Sequence, residues 1–98
     1  MTAKGYWVAT YRAVHDPARM AEYVATAGPV IVAGGGRFLV RNAPERNLEG
    51  TPDVRTIVIV FDSVELAIAT YESAPYQAAK AKLAGAVDRD VRIVSGAP

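Results

Sequence analysis

The only histidine is the first candidate for chemistry in this sequence. His15 follows a stretch typical of a strand and directly precedes Asp16, so it could serve as a general base or a haem ligand, with Asp16 as a flanking acid. The alternative is a solvated loop residue beside a helix cap. Without a second histidine or any cysteine, a transition-metal site lacks its usual ligands. We therefore expect no metal site and keep His15 and Asp16 as candidates for catalysis.

Arginines within predicted strands form a second group of candidates. Arg37 and Arg41 are four residues apart on one predicted strand, so we expect both to point to the same face of the sheet, and Arg92 lies in the last predicted strand. If these guanidinium groups line a cavity, they could hold the carboxylate or phosphate of a small anionic ligand. The alternative is that they pair with acids such as Glu22 or Glu65, or with an acid of a second subunit.

Aromatic side chains could supply the wall of such a pocket. Tyr6, Trp7 and Tyr11 lie on the first predicted strand, and Tyr76 lies on a later short helix with Gln77 beside it. Their rings offer apolar surface and their hydroxyl groups offer hydrogen bonds to a ligand. The alternative is that they fill the core and a subunit interface. Both interpretations remain open at the level of the sequence.

The elements that must position these residues follow from local patterns. Apolar and β-branched runs predict strands at residues 5–14, 37–42, 55–61 and 90–94. Asp16 and Pro17 predict a helix start, and Gly28-Pro29 predicts a kinked or two-part helix that extends to about residue 32. Gly34-Gly35-Gly36 follows a helix, so it predicts a helix-ending turn and not a phosphate loop.

The second half of the chain contains two further predicted helices. Asp62 and Glu65 have the spacing of a capping box, and an apolar pattern follows through Tyr71. A short helix restarts at Tyr76 and ends near Gly85. Residues 43–53 carry two prolines and several charges, as a surface connection does.

The order of these elements indicates the fold. Strand, helix, strand, strand, helix, strand predicts one α+β domain over residues 1–98, of ferredoxin-like βαββαβ topology with both helices on one face of an antiparallel sheet. The other face would be left uncovered, and the segment 55–61 is apolar on both sides. We therefore expect a homodimer that pairs through the open sheet face and encloses a cavity between the two sheets.

Composition excludes several classes of partner. Eleven Lys and Arg against ten Asp and Glu give a net charge of +1, which offers no general attraction for nucleic acid or an anionic membrane. No apolar run approaches the roughly 20 residues of a membrane span, and no signal peptide is recognisable. The absence of cysteine is typical of a reducing compartment. We expect a cytoplasmic protein with no nucleic-acid partner and no membrane contact.

Four motifs carry a resemblance to a known family. GYW at 5–7, GGRFLVR at 35–41, LEG at 48–50 and YESAPYQAAK at 71–80 together resemble the bacterial family of domains of unknown function DUF1330, nearly end to end. The resemblance implies a branch of the dimeric α/β-barrel superfamily, whose ferredoxin-like subunits pair sheet to sheet. Here Asn42-Ala43 stands where the family more often shows glycines, and Leu83-Ala84 stands where an arginine is common.

The resemblance implies no activity. The superfamily includes cofactor-free monooxygenases, lactone isomerases and haem-degrading enzymes, but a shared fold does not transfer an activity. The sequence contains no cofactor motif, and we expect no cofactor. Two hypotheses remain: a protein whose cavity binds a small anionic or aromatic molecule, with Tyr6, Trp7, Arg37, Arg41 and Tyr76 as candidate ligand-binding residues, or a non-enzymatic structural or interaction module without a ligand.

Overall fold

The computed structural model describes residues 3–98 and contains four strands and three helices. The strands are β1 (Gly5–Val14), β2 (Arg37–Asn42), β3 (Arg55–Phe61) and β4 (Val87–Ser95). The helices are α1 (Pro17–Ala33), α2 (Val64–Glu72) and α3 (Ala74–Lys80), and one 3₁₀ turn, Ala81–Leu83, follows α3. The described order is βαββαβ, with α2 and α3 together as the second helical segment.

The strands form one antiparallel sheet in the order β2-β3-β1-β4. Strand β1 is central because it pairs with both β3 and β4. This arrangement, with the helices packed against one face, confirms the predicted ferredoxin-like fold class.

Residues of β1 alternate between the two faces of the sheet, as the pleat requires. Trp7, Ala9 and Tyr11 are each at most 2% exposed and belong to the core between sheet and helices. Tyr6 and Val8 point the other way, onto what we call the open face, which no helix covers.

Helix α1 begins where the sequence predicted. The Asp16 side chain accepts a hydrogen bond from the Arg19 backbone N–H at 3.2 Å, and Pro17 occupies the first turn, where its missing N–H costs nothing. The helix then continues through Pro29 to Ala33 as one element, so of the predicted kinked or two-part helix the two-part form was wrong. The turn after it needs glycine, because Gly35 has a φ of +100°.

The start of α2 differs by one residue from the predicted capping box. Ser63 is the N-cap, and its Oγ accepts a hydrogen bond from the Leu66 N–H at 3.1 Å. The Asp62 side chain instead lies near Lys4, with 3.6 Å between Nζ and Oδ1. Serine and aspartate are comparable N-caps, so the pattern Asp62-Ser63 does not by itself fix which of them caps the helix.

A β-bulge in β2 overturns the prediction that Arg37 and Arg41 share a face. Phe38 pairs with Ile59 and Val40 pairs with Val58, so one extra residue lies between them. A bulge of this kind inverts the alternation beyond it. Arg37 therefore points to the open face, whereas Arg41 points to the face covered by the helices.

Strand β4 begins at Val87, three residues earlier than predicted. The added residues include Arg89, which pairs with Tyr11 of β1. Because side chains alternate along a strand, Arg89 shares the helix-covered face with Val91 and Ile93. A charged residue on a face that is otherwise apolar needs hydrogen-bond partners. The groups that Arg89 contacts are described with the site below.

The open face carries both apolar and charged side chains. Val40 and Val94 are 43% and 50% exposed. Arg12 and Arg92 both contact the Asp90 carboxylate, and the Nη1–Oδ2 distance from Arg92 is 3.8 Å. Within residues 3–98, no helix combines the length and the apolar character that a membrane span requires.

Candidate functional site

A cavity of about 40 Å³ lies between α1 and the helix-covered face of the sheet. It has room for roughly three water molecules. Strand register places its polar groups at one end, where Tyr11 stands between Arg55 of β3 and Arg89 of β4. The other end is apolar and is lined by Trp7, Ile59 and residues of α1.

Arg89 is the centre of the polar end. Its Nη1 donates to the hydroxyl oxygens of Tyr11 at 3.1 Å and Tyr23 at 3.3 Å, and its Nη2 donates to that of Tyr76 at 3.0 Å. The Tyr23 and Tyr76 hydroxyls lie 2.7 Å apart and share a further hydrogen bond. One guanidinium group therefore joins three tyrosines from β1, α1 and α3.

Local structure explains why these residues meet. Tyr23 lies one helical turn after Met20 on the buried face of α1. Ser73 caps α3 and accepts from the Tyr76 N–H at 3.3 Å, which fixes Tyr76 in the first turn. The Tyr76 ring packs edge-on against Trp7, with 4.9 Å between ring centroids, and is fully buried.

A count of protons shows that this cluster has more donors than acceptors. The three hydroxyl groups carry three protons, and only the one between Tyr23 and Tyr76 has an acceptor among residues 3–98. Two O–H groups are thus free to donate. The Arg55 Nε is also buried without a hydrogen-bond partner, and Arg55 lines the same cavity.

The protonation states preserve this excess of donors at neutral pH. Burial raises the pKa of Tyr11, Tyr23 and Tyr76 above the ordinary value of 10, and the positive charge of Arg89 opposes this only in part. Burial lowers the pKa of Arg89, but the three tyrosines, which become negative when they ionise at alkaline pH, raise it by more. The hydroxyl groups therefore keep their protons and Arg89 keeps its charge.

Three arginines line the cavity without a carboxylate partner among the described residues. The ion pairs within residues 3–98 involve Lys4, Arg12, His15 and Arg92, and none involves Arg41, Arg55 or Arg89. Arg41 lies over the Phe38 ring, 4.5 Å from its centroid, at the edge of the sheet. No Asp, Glu or His lines the cavity. The field inside it is therefore strongly positive.

The candidate residues from the sequence divide between several places. Trp7 and Arg41 line the cavity, and Tyr76 lies directly behind it in the hydroxyl cluster. Tyr6 and Arg37 lie on the open face, away from the cavity.

His15 and Asp16 lie outside the cavity, at the start of α1. The His15 Nε2 contacts the Asp88 carboxylate at 2.9 Å, and both side chains are more than half exposed. Asp16 is occupied as the N-cap of α1. No group of three or more His, Asp or Glu side chains within residues 3–98 is placed to hold a metal ion.

Sequence reasoning missed Arg55, Arg89 and Tyr23 as site residues. A signal for Arg89 was present, because Val87, Arg89, Val91 and Ile93 alternate with polar residues at strand spacing. Nothing local indicated that Tyr23 of α1 would meet a hydroxyl from α3.

Comparison with solved structures supports the fold. RPA0582, a protein of unknown function from Rhodopseudomonas palustris, is 15% identical with a TM-score of 0.81, covering 100% of this chain and 85% of that chain. SnoaB from Streptomyces nogalater, a cofactor-independent oxygenase, is 11% identical with a TM-score of 0.70, covering 99% and 96%. A dimeric ferredoxin-like protein of unknown function from Thermobifida fusca is 17% identical with a TM-score of 0.64, covering 98% and 93%. At these identities the similarity shows the fold alone.

Sequence comparison gives the family. No curated protein matches the chain. The family model for the domain of unknown function DUF1330 matches residues 4–97, which confirms the resemblance carried by the four motifs: this chain belongs to the DUF1330 family.

Proposed function

We propose that this protein binds a small organic anion in the cavity between α1 and the sheet. The observation that carries the proposal is Arg89, a half-buried cation whose hydrogen-bond partners within residues 3–98 are three neutral hydroxyl groups and no carboxylate. Buried charges in proteins are normally paired. A carboxylate in the cavity would complete the pairing.

The excess of donors supports an acceptor-only head group. A carboxylate accepts through two oxygens and donates nothing, so it matches the free O–H groups of the tyrosine cluster. Arginine suits this task because its planar fork binds a carboxylate through two parallel hydrogen bonds. An amide accepts through one oxygen only and brings two donors of its own, and a protonated amine brings donors alone, so either would satisfy fewer of these groups than a carboxylate.

The lining also limits what the site does to its ligand. Because no Asp, Glu or His lines the cavity and the tyrosines hold their protons, no group there is ready to remove a proton from a ligand. The ligand would enter already ionised. The proposal is therefore one of binding, and the oxygenase name of SnoaB is not carried over to this chain.

Thermal unfolding with matched ligand pairs tests the proposal. Acetate, propionate and butyrate would be compared with the corresponding amides at millimolar concentration and constant ionic strength. A ligand that binds only the folded state raises Tm in proportion to the logarithm of its concentration. We expect the carboxylates to raise Tm and the amides not to. Equal shifts for both members of each pair, or no shift for any, would favour a structural or interaction module without a ligand.

We also propose that two copies of the chain pair through the open face. The face presents Val40 and Val94 to solvent, and the similar protein from Thermobifida fusca is dimeric. Val8 lies at the centre of this face, between Val58 and Arg92. Pairing with a second sheet would remove Val8 and the apolar side chains around it from water.

The mass in solution tests this pairing. Wild type should sediment as a dimer at micromolar concentration, and Val8→Lys should sediment as a monomer, because a lysine buried beside Arg92 adds an unpaired like charge that opposes association. Val32→Lys is the matched control, since Val32 is 60% exposed on α1, away from the open face. This variant should remain dimeric. A monomeric wild type would contradict the proposal.

A further inference from the structure

Several residues of α1 line the cavity, and among them Gly28 has no side chain. It lines the cavity together with Val24, one turn earlier, and Ile31, one turn later. Apart from its two chain neighbours and the backbone of its own helix, a Cβ atom placed on Gly28 would meet no atom within 4 Å. Gly34 and Gly36 differ, because a Cβ there would lie within 3 Å of Thr70 and of Ile31 respectively. Close packing thus explains those two glycines, and it does not explain Gly28.

The helix gives Gly28 a second role, because Pro29 follows it inside α1. Glycine inside a helix is ordinarily less favourable than alanine because it loses more backbone freedom on folding. Gly28 has helical geometry with no positive φ, but the ring of a proline crowds the Cβ atom of a helical residue before it, so alanine at position 28 would be strained against Pro29. A side chain at this position would therefore strain α1 and also occupy free space at the cavity, and separate measurements distinguish the two effects.

Strand register locates that space. Helix α1 starts beside the end of β1 and runs back along it. Tyr23 therefore lies near Tyr11, and both contact Arg89. Ile31 and Ile59 both lie beside Gly36, at the other end. Gly28 is between these points, nearer the apolar end. The polar end holds the donors, and the space beside Gly28 is where an apolar chain attached to a carboxylate would lie.

We propose that Gly28 determines which carboxylates the site accepts, by leaving room for the apolar body of a ligand whose carboxylate lies at Arg89. This inference rests on the proposed binding of an organic anion and adds the orientation and size of the ligand. In a cavity of about 40 Å³, one or two carbon atoms occupy a large part of the space. A side chain at position 28 therefore shortens the longest acid that fits.

Binding of a homologous series tests the inference. Calorimetric affinities for acetate, propionate, butyrate and valerate would be measured on wild type, Gly28→Ala and Gly28→Val. Loss of room for one methylene changes affinity by about tenfold or more. We expect Gly28→Ala to weaken the longest acid that wild type binds by about that factor and to leave acetate unchanged, with Gly28→Val excluding one more carbon.

Thermal unfolding of the same variants separates this effect from damage to the fold. Gly28→Ala should melt no higher than wild type, because the Cβ atom of residue 28 would crowd the ring of Pro29 and offset the helix propensity of alanine. Ala25→Gly, at an exposed position of α1 outside the cavity, is the matched control and should lower Tm without altering the length profile. A length profile identical in wild type, Gly28→Ala and Gly28→Val would overturn the inference alone. Failure of wild type to bind any acid would overturn the proposed function as well.

Discussion

The hydroxyl oxygen of Tyr23 lies 2.7 Å from that of Tyr76, a residue 53 positions later in the chain. The two rings meet edge to face, with 6.2 Å between centroids. Both hydroxyls also accept from Arg89. This contact connects α1 with α3 inside an aromatic core, so the same groups that we propose to bind an anion also stabilise the packing of the helices.

Double-mutant analysis should show that Tyr23 and Tyr76 depend on each other. Tyr76→Phe removes an acceptor from Arg89 and a partner from Tyr23, and each buried group left unsatisfied costs about 1–3 kcal/mol. We expect each single variant to lose stability in that range in urea unfolding. The double variant should lose less than the sum, with a coupling energy of about 0.5–3 kcal/mol.

Tyr71→Phe serves as the control in that series. The Tyr71 hydroxyl accepts from Lys80 at 3.3 Å and has no hydrogen bond to the Arg89 cluster. Combining Tyr71→Phe with Tyr23→Phe should give additive losses. Additive losses for Tyr23 and Tyr76 as well would show that their hydrogen bond contributes nothing to stability.

Stability should fall at alkaline pH. Tyr11, Tyr23 and Tyr76 have folded-state pKa values raised above 10 by burial. Above that pH the unfolded chain binds fewer protons than the folded one, so the free energy of unfolding is fully retained below about pH 10 and decreases as pH rises through the raised values. Tyrosinate absorbance at 295 nm, followed together with circular dichroism, measures this.

Ionisation and unfolding should coincide for these three residues. We expect at least part of the absorbance change to appear only as the circular dichroism signal is lost. Complete ionisation of all five tyrosines with the fold intact would contradict the buried hydroxyl cluster.

Replacing Arg89 should remove anion binding. Arg89→Met keeps the length of the side chain and removes the charge, but it also removes the donor to three tyrosine hydroxyl groups, so we expect the free energy of unfolding to fall by about 1–3 kcal/mol for each hydroxyl group left unsatisfied. We expect the affinity for the best carboxylate to fall about 30-fold or more, since the ligand would lose its charged partner. Arg89→Lys keeps the charge without the planar fork and should bind with intermediate affinity. Equal affinity in wild type and Arg89→Met would place the ligand elsewhere.

Arg41 and Arg37 provide a matched pair of charge deletions. They are four residues apart, but the bulge in β2 places Arg41 at the cavity and Arg37 on the open face. Arg41→Ala should cost about 1 kcal/mol or less, because an exposed contact with Phe38 contributes little. It should weaken carboxylate binding several-fold, and less so at high salt. Arg37→Ala should leave binding unchanged, and an equal loss in both variants would indicate a general charge effect.

The sequence allowed much of the fold to be predicted because local patterns determine it. The apolar run of β3, the alternation of β1 and the Asp16-Pro17 start of α1 each reflect a local rule, and the structure follows all three. The bulge in β2 could not be predicted, because an extra residue in a strand leaves no periodic signal until the partner strand is known.

The site was predictable only in part, since it depends on contacts between distant elements. Trp7 and Arg41 were identified from residue type, but the prediction that Arg37 joins them failed at the bulge. Arg89 was overlooked because the predicted last strand began at Asp90. Extending the alternation of Val91 and Ile93 back to Arg89 would have placed Arg89 on the helix-covered face. The meeting of Tyr23 with Tyr76 follows from the packing of α1 on α3, which no local pattern encodes.

The most direct test of a carboxylate at Arg89 is a titration of wild type with acetate at constant ionic strength, followed by the side-chain Nε–Hε resonances of the arginines in nitrogen-15 NMR spectra. Arg12 and Arg92, which contact Asp90 on the open face, provide internal controls in the same sample. We predict saturable shifts for Arg89 and Arg55 and none for the controls, and no shifts with acetamide. Shifts of equal size at all four arginines, or none at Arg89, would contradict the account.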